Sequence, residues 1–329
     1  MRKNEDIGSL YRLYEKQKRN NFLCLFPGCT ARLTRPSSHV IPESVLRLFA
    51  RDGKVLRWDQ PDYGAIKRSV TGNQSWETVY AEPIEIGVGE TKWPLFCHDH
   101  DDGAFAPLEK PKFAMAPKQP EQLALLAYRA LCYTTYNNQK RMIEEFFSWL
   151  QERGHSHPFA SPEKRAELQQ YLPLDPLLEA RHLLGQMCKN KDYSQVDGDV
   201  FPLTNIPARI ACTGPWIPLD RIEQESLLKN SLMLTPQDVT TFSVFPNNNS
   251  ETSYCVISWF KGSQRGESYR DMLHQLSGHE QEKNLLFTAF QQPNICISPG
   301  WWDSLSEEEK QRYRNLYLRN AVQFRKFLA

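Results

Sequence analysis

Apolar residues in the middle of the chain recur with the period of an α-helix. Between residues 119 and 152 they fall at i, i+3, i+4, i+7 and i+8, which places them on one face of a helix. The first set is Leu123, Leu126, Ala127, Ala130 and Leu131, and the second is Met142, Ile143, Phe146, Phe147 and Leu150. Gly154 follows as a stop signal, and the pairs Ser161-Pro162 and Asp175-Pro176 are typical of the starts of two further helices.

Beyond residue 200 the pattern changes to β. The runs "TTFSVF" (240–245) and "SYCVISWF" (253–260) are rich in β-branched and aromatic residues and are separated by a polar turn cluster, which predicts a hairpin. A helix is expected through the 270s. The chain ends in a long helix that begins with a capping box, Ser306 to Glu309.

The first 117 residues are irregular, with strand-like runs at 53–59 and 77–89. Prolines between residues 107 and 120 then separate this segment from the helical region. The sequence therefore predicts an α+β protein in three parts: an N-terminal domain (1–117), a helical region (118–195) and a C-terminal α+β domain of unknown role (196–329).

Composition narrows the class of protein. The chain has 329 residues, of which 40% are hydrophobic and 24% charged, with a formal net charge of +1. This net charge supplies no global field that attracts nucleic acid. The beginning of the chain is charged and lacks the apolar core of a signal peptide, and no apolar run approaches the roughly 20 residues of a membrane helix. We therefore expect a cytoplasmic protein with reduced thiols and no membrane partner.

Two pairs of residues in the first segment have the spacing of zinc ligands. Cys24 and Cys29 flank "LFPG", whose proline and glycine suit a tight turn, and Cys97 and His100 form a C-x-x-H pair. Zinc takes about four soft or borderline ligands in a tetrahedron, so these four residues are predicted to bind a structural Zn²⁺. His98 is an alternative to His100, and the other interpretation is two buried thiols and an unrelated loop.

His39 lies in the string Ser-His-Val-Ile-Pro (38–42), shortly after the first pair. Two further motifs accompany this string: the C-x-x-x-x-C knuckle (24–29) and the string F-C-x-x-H-D-x-x-x-F-x-x-x-E (96–109). With these three motifs the chain resembles the HNH, or His-Me finger, nucleases, and especially a bacterial group of HNH-related proteins. The resemblance covers roughly residues 20 to 110. It implies a zinc-bound treble clef of the ββα type and a metal-dependent endonuclease that hydrolyses DNA or RNA phosphodiester bonds. It also implies that His39 is the general base and that the protein serves in bacterial defence against foreign DNA.

Departures from the HNH pattern leave the activity open. Those enzymes commonly carry an acidic residue or a histidine before the base, where this chain has Ser38, and their middle asparagine has no clear counterpart. Asp101 and Glu109 are the candidate carboxylate ligands for a catalytic Mg²⁺ or Mn²⁺. The alternative is a catalytically inactive zinc module that binds nucleic acid or a protein partner, with the C-terminal domain recognising that partner. For His39 itself, the alternative is a structural histidine whose ring holds the loop.

Positive charge is concentrated around the histidine motif. The residues concerned are Arg32, Arg35, Arg47, Arg51, Lys54 and Arg57. This placement suits contacts to phosphates, so DNA or RNA is the predicted partner. The alternative is an ordinary solvated face.

Overall fold

The computed structural model describes residues 22–58, 82–109, 119–152, 174–204, 209–218, 234–246, 252–292 and 294–326. Within these ranges the protein is mixed α+β, as the sequence predicts. No helix in them combines the length and the apolar character needed to cross a membrane.

The N-terminal segment is built from short elements joined by turns. They are β1 (Phe22–Leu23), β2 (Arg32–Leu33), β3 (Ser38–His39), α1 (Glu43–Phe49), β4 (Lys54–Arg57), β5 (Ile84–Gly87), β6 (Lys92–Trp93), α2 (His98–Ala104) and α3 (Ala106–Glu109). A 3₁₀ turn at Val88–Thr91 joins β5 to β6. Two small antiparallel pairs, β1 with β2 and β3 with β6, tie the turns together.

Two long helices follow. They are α4 (Pro120–Glu152) and α5 (Leu174–Asn190). The two helices pack against each other, and α4 also packs against strands of the large sheet described below. The predicted helix at 119–152 is confirmed, as is the one that starts near Asp175. The start predicted at Ser161-Pro162 lies outside the described residues.

The C-terminal part alternates strands with helices. Its elements are β7 (Val196–Leu203), β8 (Ile210–Trp216), β9 (Thr240–Pro246), β10 (Ser253–Phe260), α6 (Gln264–Gln275), α7 (Gly278–Ala289), β11 (Cys296–Ile297), α8 (Pro299–Ser304) and α9 (Glu307–Lys326). The predicted hairpin is confirmed, because β9 and β10 pair antiparallel. The predicted capping box is also present: the Glu309 N–H donates to the Ser306 hydroxyl at 3.2 Å, and the Ser306 N–H donates to Glu309 Oε2 at 2.8 Å.

Seven of the described strands form one antiparallel sheet in the order β5-β4-β11-β8-β9-β10-β7. The short strand β11 lies between β4 of the N-terminal segment and β8 of the C-terminal part. Ile297 pairs with Leu56 of β4 on one side and with Ile210 of β8 on the other. The sheet therefore contains strands from both the first and the third of the parts predicted from the sequence.

The sheet is covered on both faces. Side chains of a strand point alternately to opposite faces, and Val55 and Val256 pack into the core formed with α4, α5 and the N-terminal segment. Their neighbours Leu56 and Ile257 pack into a second core formed with α6 to α9. The result is three layers, with the N-terminal turns held against the same face of the sheet as α4.

Candidate metal centre

The first ligand pair lies in a tight turn between β1 and β2. The Cys29 N–H donates to the Phe26 carbonyl at 3.0 Å, and the central residues of this turn are Pro27 and Gly28. Gly28 has φ +80°, the left-handed value that the third residue of a type II turn requires. The turn therefore folds Cys29 back towards Cys24.

The second ligand pair lies at the start of α2. The N–H groups of His100 and Asp101 donate to the Cys97 carbonyl at 3.1 and 2.9 Å, so Cys97 and His100 occupy one helical turn. Residues three apart are neighbours on a helix surface. A backbone hydrogen bond from Leu25 to Leu95, at 2.8 Å, joins the two pairs.

The fold brings all four predicted ligands together. The ligand atoms of Cys24, Cys29, Cys97 and His100 lie within 4.8 Å of one another. His100 Nδ1 is 3.1 Å from the sulfur of Cys97 and 3.6 Å from that of Cys24, and the sulfurs of Cys29 and Cys97 are 4.0 Å apart. A tetrahedral Zn²⁺ with ordinary bond lengths places its ligand atoms about 3.5 to 3.8 Å apart. The cluster can therefore hold a metal ion such as Zn²⁺ with small adjustments.

The backbone N–H groups around the cysteine sulfurs also suit a bound metal ion. The Cys97 N–H points to the Cys24 sulfur at 3.3 Å and the Ala31 N–H to the Cys29 sulfur at 3.5 Å, and such contacts favour thiolates. Burial nevertheless raises the pKa of the Cys24 thiol to about 12, and the neighbouring Cys29 and Cys97 thiols add to that rise. A divalent cation stabilises the thiolates that burial disfavours.

His98, the alternative ligand, lies outside this cluster. Its side chain is 84% exposed, and its Nδ1 is 3.1 Å from Oδ2 of Asp102. The C-x-x-H spacing therefore identified the histidine that the fold places with the three thiols.

His39 lies in β3 and is only 5% exposed. Its Nε2 is 3.2 Å from the Val88 carbonyl oxygen, and its Nδ1 is 3.6 Å from Oε2 of Glu43. A general base needs a ring nitrogen whose lone pair reaches a water molecule, whereas both nitrogens here face oxygen acceptors. The ring connects β3 to α1 and to the 3₁₀ turn. Its neighbour Ser38 is fully buried and accepts a hydrogen bond from the Phe96 N–H at 3.1 Å.

In the part of the chain that the structure describes, Asp101, one of the two predicted carboxylate ligands, does not form a group of three or more possible metal ligands with His39. Asp101 Oδ1 lies 3.7 Å from a guanidinium nitrogen of Arg129, which is fully buried. Glu109 ends α3, and its side chain lies outside the described residues. Within the described ranges, the cluster of three cysteines and His100 is the only group of three or more His, Cys, Asp or Glu side chains that could hold a metal ion.

Glu43 is a residue of this region that the sequence analysis missed. Burial acts to raise the pKa of its carboxyl, but the Arg47 hydrogen bond and the charges of His39, Arg47 and Lys92 outweigh it and lower that pKa. Part of the signal was available, because Glu43 stands four residues before Arg47, which is the spacing of a helical ion pair. The contact of Glu43 with His39 depends on the turn between β3 and α1.

The fold engages most of the predicted basic cluster. Arg47 donates to Glu43, Arg51 to Asp303 at 2.6 Å, and Lys54 to Glu85 at 2.9 Å. The Arg57 guanidinium lies 5.8 Å from the centre of the Trp93 ring. Arg32 and Arg35 are exposed. Three of the six basic residues are therefore paired with carboxylates, and the carboxylates of Arg51 and Lys54 come from distant parts of the chain.

Three aromatic and basic residues around the metal centre were also missed. The Phe26 ring stacks on His100, with ring centres 4.2 Å apart, and the Tyr128 hydroxyl donates to the Leu25 carbonyl at 2.6 Å. In the sequence, Arg129 is only the charge that interrupts the apolar run from Leu123 to Tyr136.

Comparisons with protein-family models, with curated proteins and with solved structures gave no match to this chain. The geometry of the metal centre and of its surroundings is therefore the basis for a functional conclusion.

Proposed function

We propose that this chain is a binding protein organised by a structural zinc centre, with a protein as its partner. The observation that carries the proposal is the set of four protein ligands, Cys24, Cys29, Cys97 and His100, within 4.8 Å. A four-ligand site fills the tetrahedral coordination of Zn²⁺, whereas catalytic zinc sites keep one position for water or substrate.

We also propose that the centre is a treble clef. In support of this, the cysteine knuckle within the β1–β2 hairpin would supply two ligands, and the first turn of α2 would supply the other two. This order supports the resemblance to HNH-type proteins at the level of fold. The zinc in this proposal contributes directly to the folding free energy of a segment that has few long elements of its own.

Binding is favoured over hydrolysis by the contacts of the proposed catalytic residues. His39 directs its ring nitrogens at Val88 and Glu43, and Asp101 faces Arg129. Phosphodiester cleavage requires a base on the attacking water and a cation near the leaving oxygen. Both groups nominated for those tasks have structural contacts instead.

A protein partner is favoured over nucleic acid by the charge distribution. Phosphate binding requires Lys and Arg side chains that can neutralise phosphates. Arg47, Arg51 and Lys54 are already paired with carboxylates in this fold. Binding DNA or RNA through these three side chains would break these pairs, whereas the exposed Arg32 and Arg35 supply only two positive charges.

Endonuclease activity is the second candidate, and one observation favours it. Glu43 lies 3.6 Å from His39 Nδ1, and a carboxylate in that position orients a histidine base in many enzymes. This candidate requires His39 Nε2 to leave the Val88 carbonyl and to reach a water molecule when substrate binds.

The test combines metal analysis with activity and binding assays on the full chain. We expect about one zinc per chain, no cleavage of DNA or RNA with Mg²⁺ or Mn²⁺, and no saturable nucleic-acid binding at physiological salt. His100→Ala is expected to lower the zinc content and the thermal midpoint of the chain.

His98→Ala is the matched control, because it removes an exposed histidine two residues away. It is expected to retain wild-type zinc content. A well-folded wild-type chain without zinc would contradict the structural centre. Divalent-ion-dependent cleavage that His39→Ala abolishes at full zinc content would establish the nuclease instead.

A further inference from the structure

A fully buried arginine lies beside the metal centre. Arg129 of α4 has no exposed surface, and burying an ion costs on the order of several kcal/mol unless it is paired. Its guanidinium carbon lies 4.3 Å from the centre of the Phe105 ring, and its Nη2 lies 3.7 Å from Oδ1 of Asp101. Both partners belong to the segment that begins with Cys97, so this buried charge contacts the segment that carries the second ligand pair.

Asp101 is coupled to the ligands through the backbone. It directly follows His100, and the N–H groups of both residues donate to the Cys97 carbonyl, at 2.9 Å for Asp101 and 3.1 Å for His100. A displacement of Asp101 therefore displaces this turn and the imidazole of His100 with it.

The preceding residue of α4 contacts the segment between the two ligands of the other pair. The Tyr128 hydroxyl donates to the carbonyl of Leu25, the residue after Cys24, at 2.6 Å. Burial raises the pKa of the Tyr128 phenol, which keeps it a donor. Its ring also meets the edge of Phe26, with centres 6.4 Å apart, and Phe26 stacks on His100.

Consecutive residues of one helix thus contact both ligand-bearing segments. We propose that Tyr128 and Arg129 are positioning residues that hold the two ligand pairs at the separation a metal ion requires, an inference that rests on the metal centre proposed above. Ligands held in place lose less conformational freedom on binding. Groups that orient metal ligands typically contribute about 10- to 100-fold in metal affinity.

The experiment measures the zinc affinity of the full chain by competition with a chromogenic chelator. Tyr128→Phe removes only the hydroxyl, and Asp101→Asn removes only the charge that faces Arg129. Each is expected to lower zinc affinity about 10- to 100-fold while the chain stays folded. The visible absorption of the Co²⁺ form, which reports the geometry of a site with three thiolates and one histidine, is expected to shift in both variants.

Substitutions of Arg129 give a graded series. Arg129→Met is expected to have the larger effect, and Arg129→Lys, which keeps the charge, is expected to restore part of the affinity. Arg181→Met is the matched control, because Arg181 of α5 donates to Thr135 of α4 at 2.9 Å, at the same helix interface. It is expected to leave the affinity and the Co²⁺ spectrum unchanged.

If Arg129→Met does not fold, Tyr128→Phe and Asp101→Asn still test the positioning role. Wild-type zinc affinity and an unchanged Co²⁺ spectrum in both variants would overturn the positioning role and leave the metal centre intact. A wild-type chain that binds no zinc would overturn the metal centre itself, so the two failures are distinguishable.

Discussion

Replacing His39 by alanine separates a structural histidine from a catalytic one. The ring is 5% exposed and contacts the Val88 carbonyl and Glu43. The Val88 carbonyl also accepts a hydrogen bond from the Thr91 hydroxyl at 2.7 Å, so His39→Ala does not strip it of all its donors. The cost is therefore the lost burial of the ring, the cavity it leaves and the lost contacts with Val88 and Glu43, together about 2–4 kcal/mol.

Thermal unfolding of the zinc-loaded chain measures this cost. For a chain of 329 residues that unfolds as one unit, 2–4 kcal/mol corresponds to a midpoint lowered by about 3–6 °C. His98→Ala is again the exposed control and is expected to leave the midpoint unchanged. An unchanged midpoint in His39→Ala would refute the structural reasoning. If it came with a loss of cleavage of about 100- to 10,000-fold, it would identify the general base.

Three further predictions concern single side chains. The pKa of the Glu43 carboxyl is lower in the folded chain than its unfolded value near 4.5. The stabilisation by ionised Glu43 is therefore present above pH 4.5 and is lost as the pH falls through the folded-state pKa. Urea unfolding should show that Glu43→Gln is less stable than wild type at neutral pH and that the difference vanishes in acid. Gly266→Ala places a methyl group against the buried side chain of Trp259, and we expect a loss of about 1–3 kcal/mol in the same assay. Ser306→Ala removes the cap that Glu309 reciprocates, and helix α9 should lose about 1 kcal/mol, measurable as a lower urea midpoint.

Local elements of this protein follow from the sequence because their causes are local. The apolar period predicts α4, the β-rich runs predict the β9–β10 hairpin, and the capping box predicts the start of α9. The four predicted metal ligands also belong to this class. Each pair lies within six residues, so knuckle spacing alone identified the atoms that the fold brings within 4.8 Å.

Tertiary structure decided everything that depends on contacts between distant parts of the chain. The pairing of β4 with β11 requires residues 57 and 296 to meet, and two-residue strands carry almost no periodic signal. The same holds for charge. Arg51 forms an ion pair with Asp303, and Asp101 forms one with Arg129. In the folded chain, the predicted phosphate contact and the predicted cation ligand are therefore already paired with other side chains. A buried ion selects its partner by proximity in three dimensions, and sequence spacing does not encode that proximity.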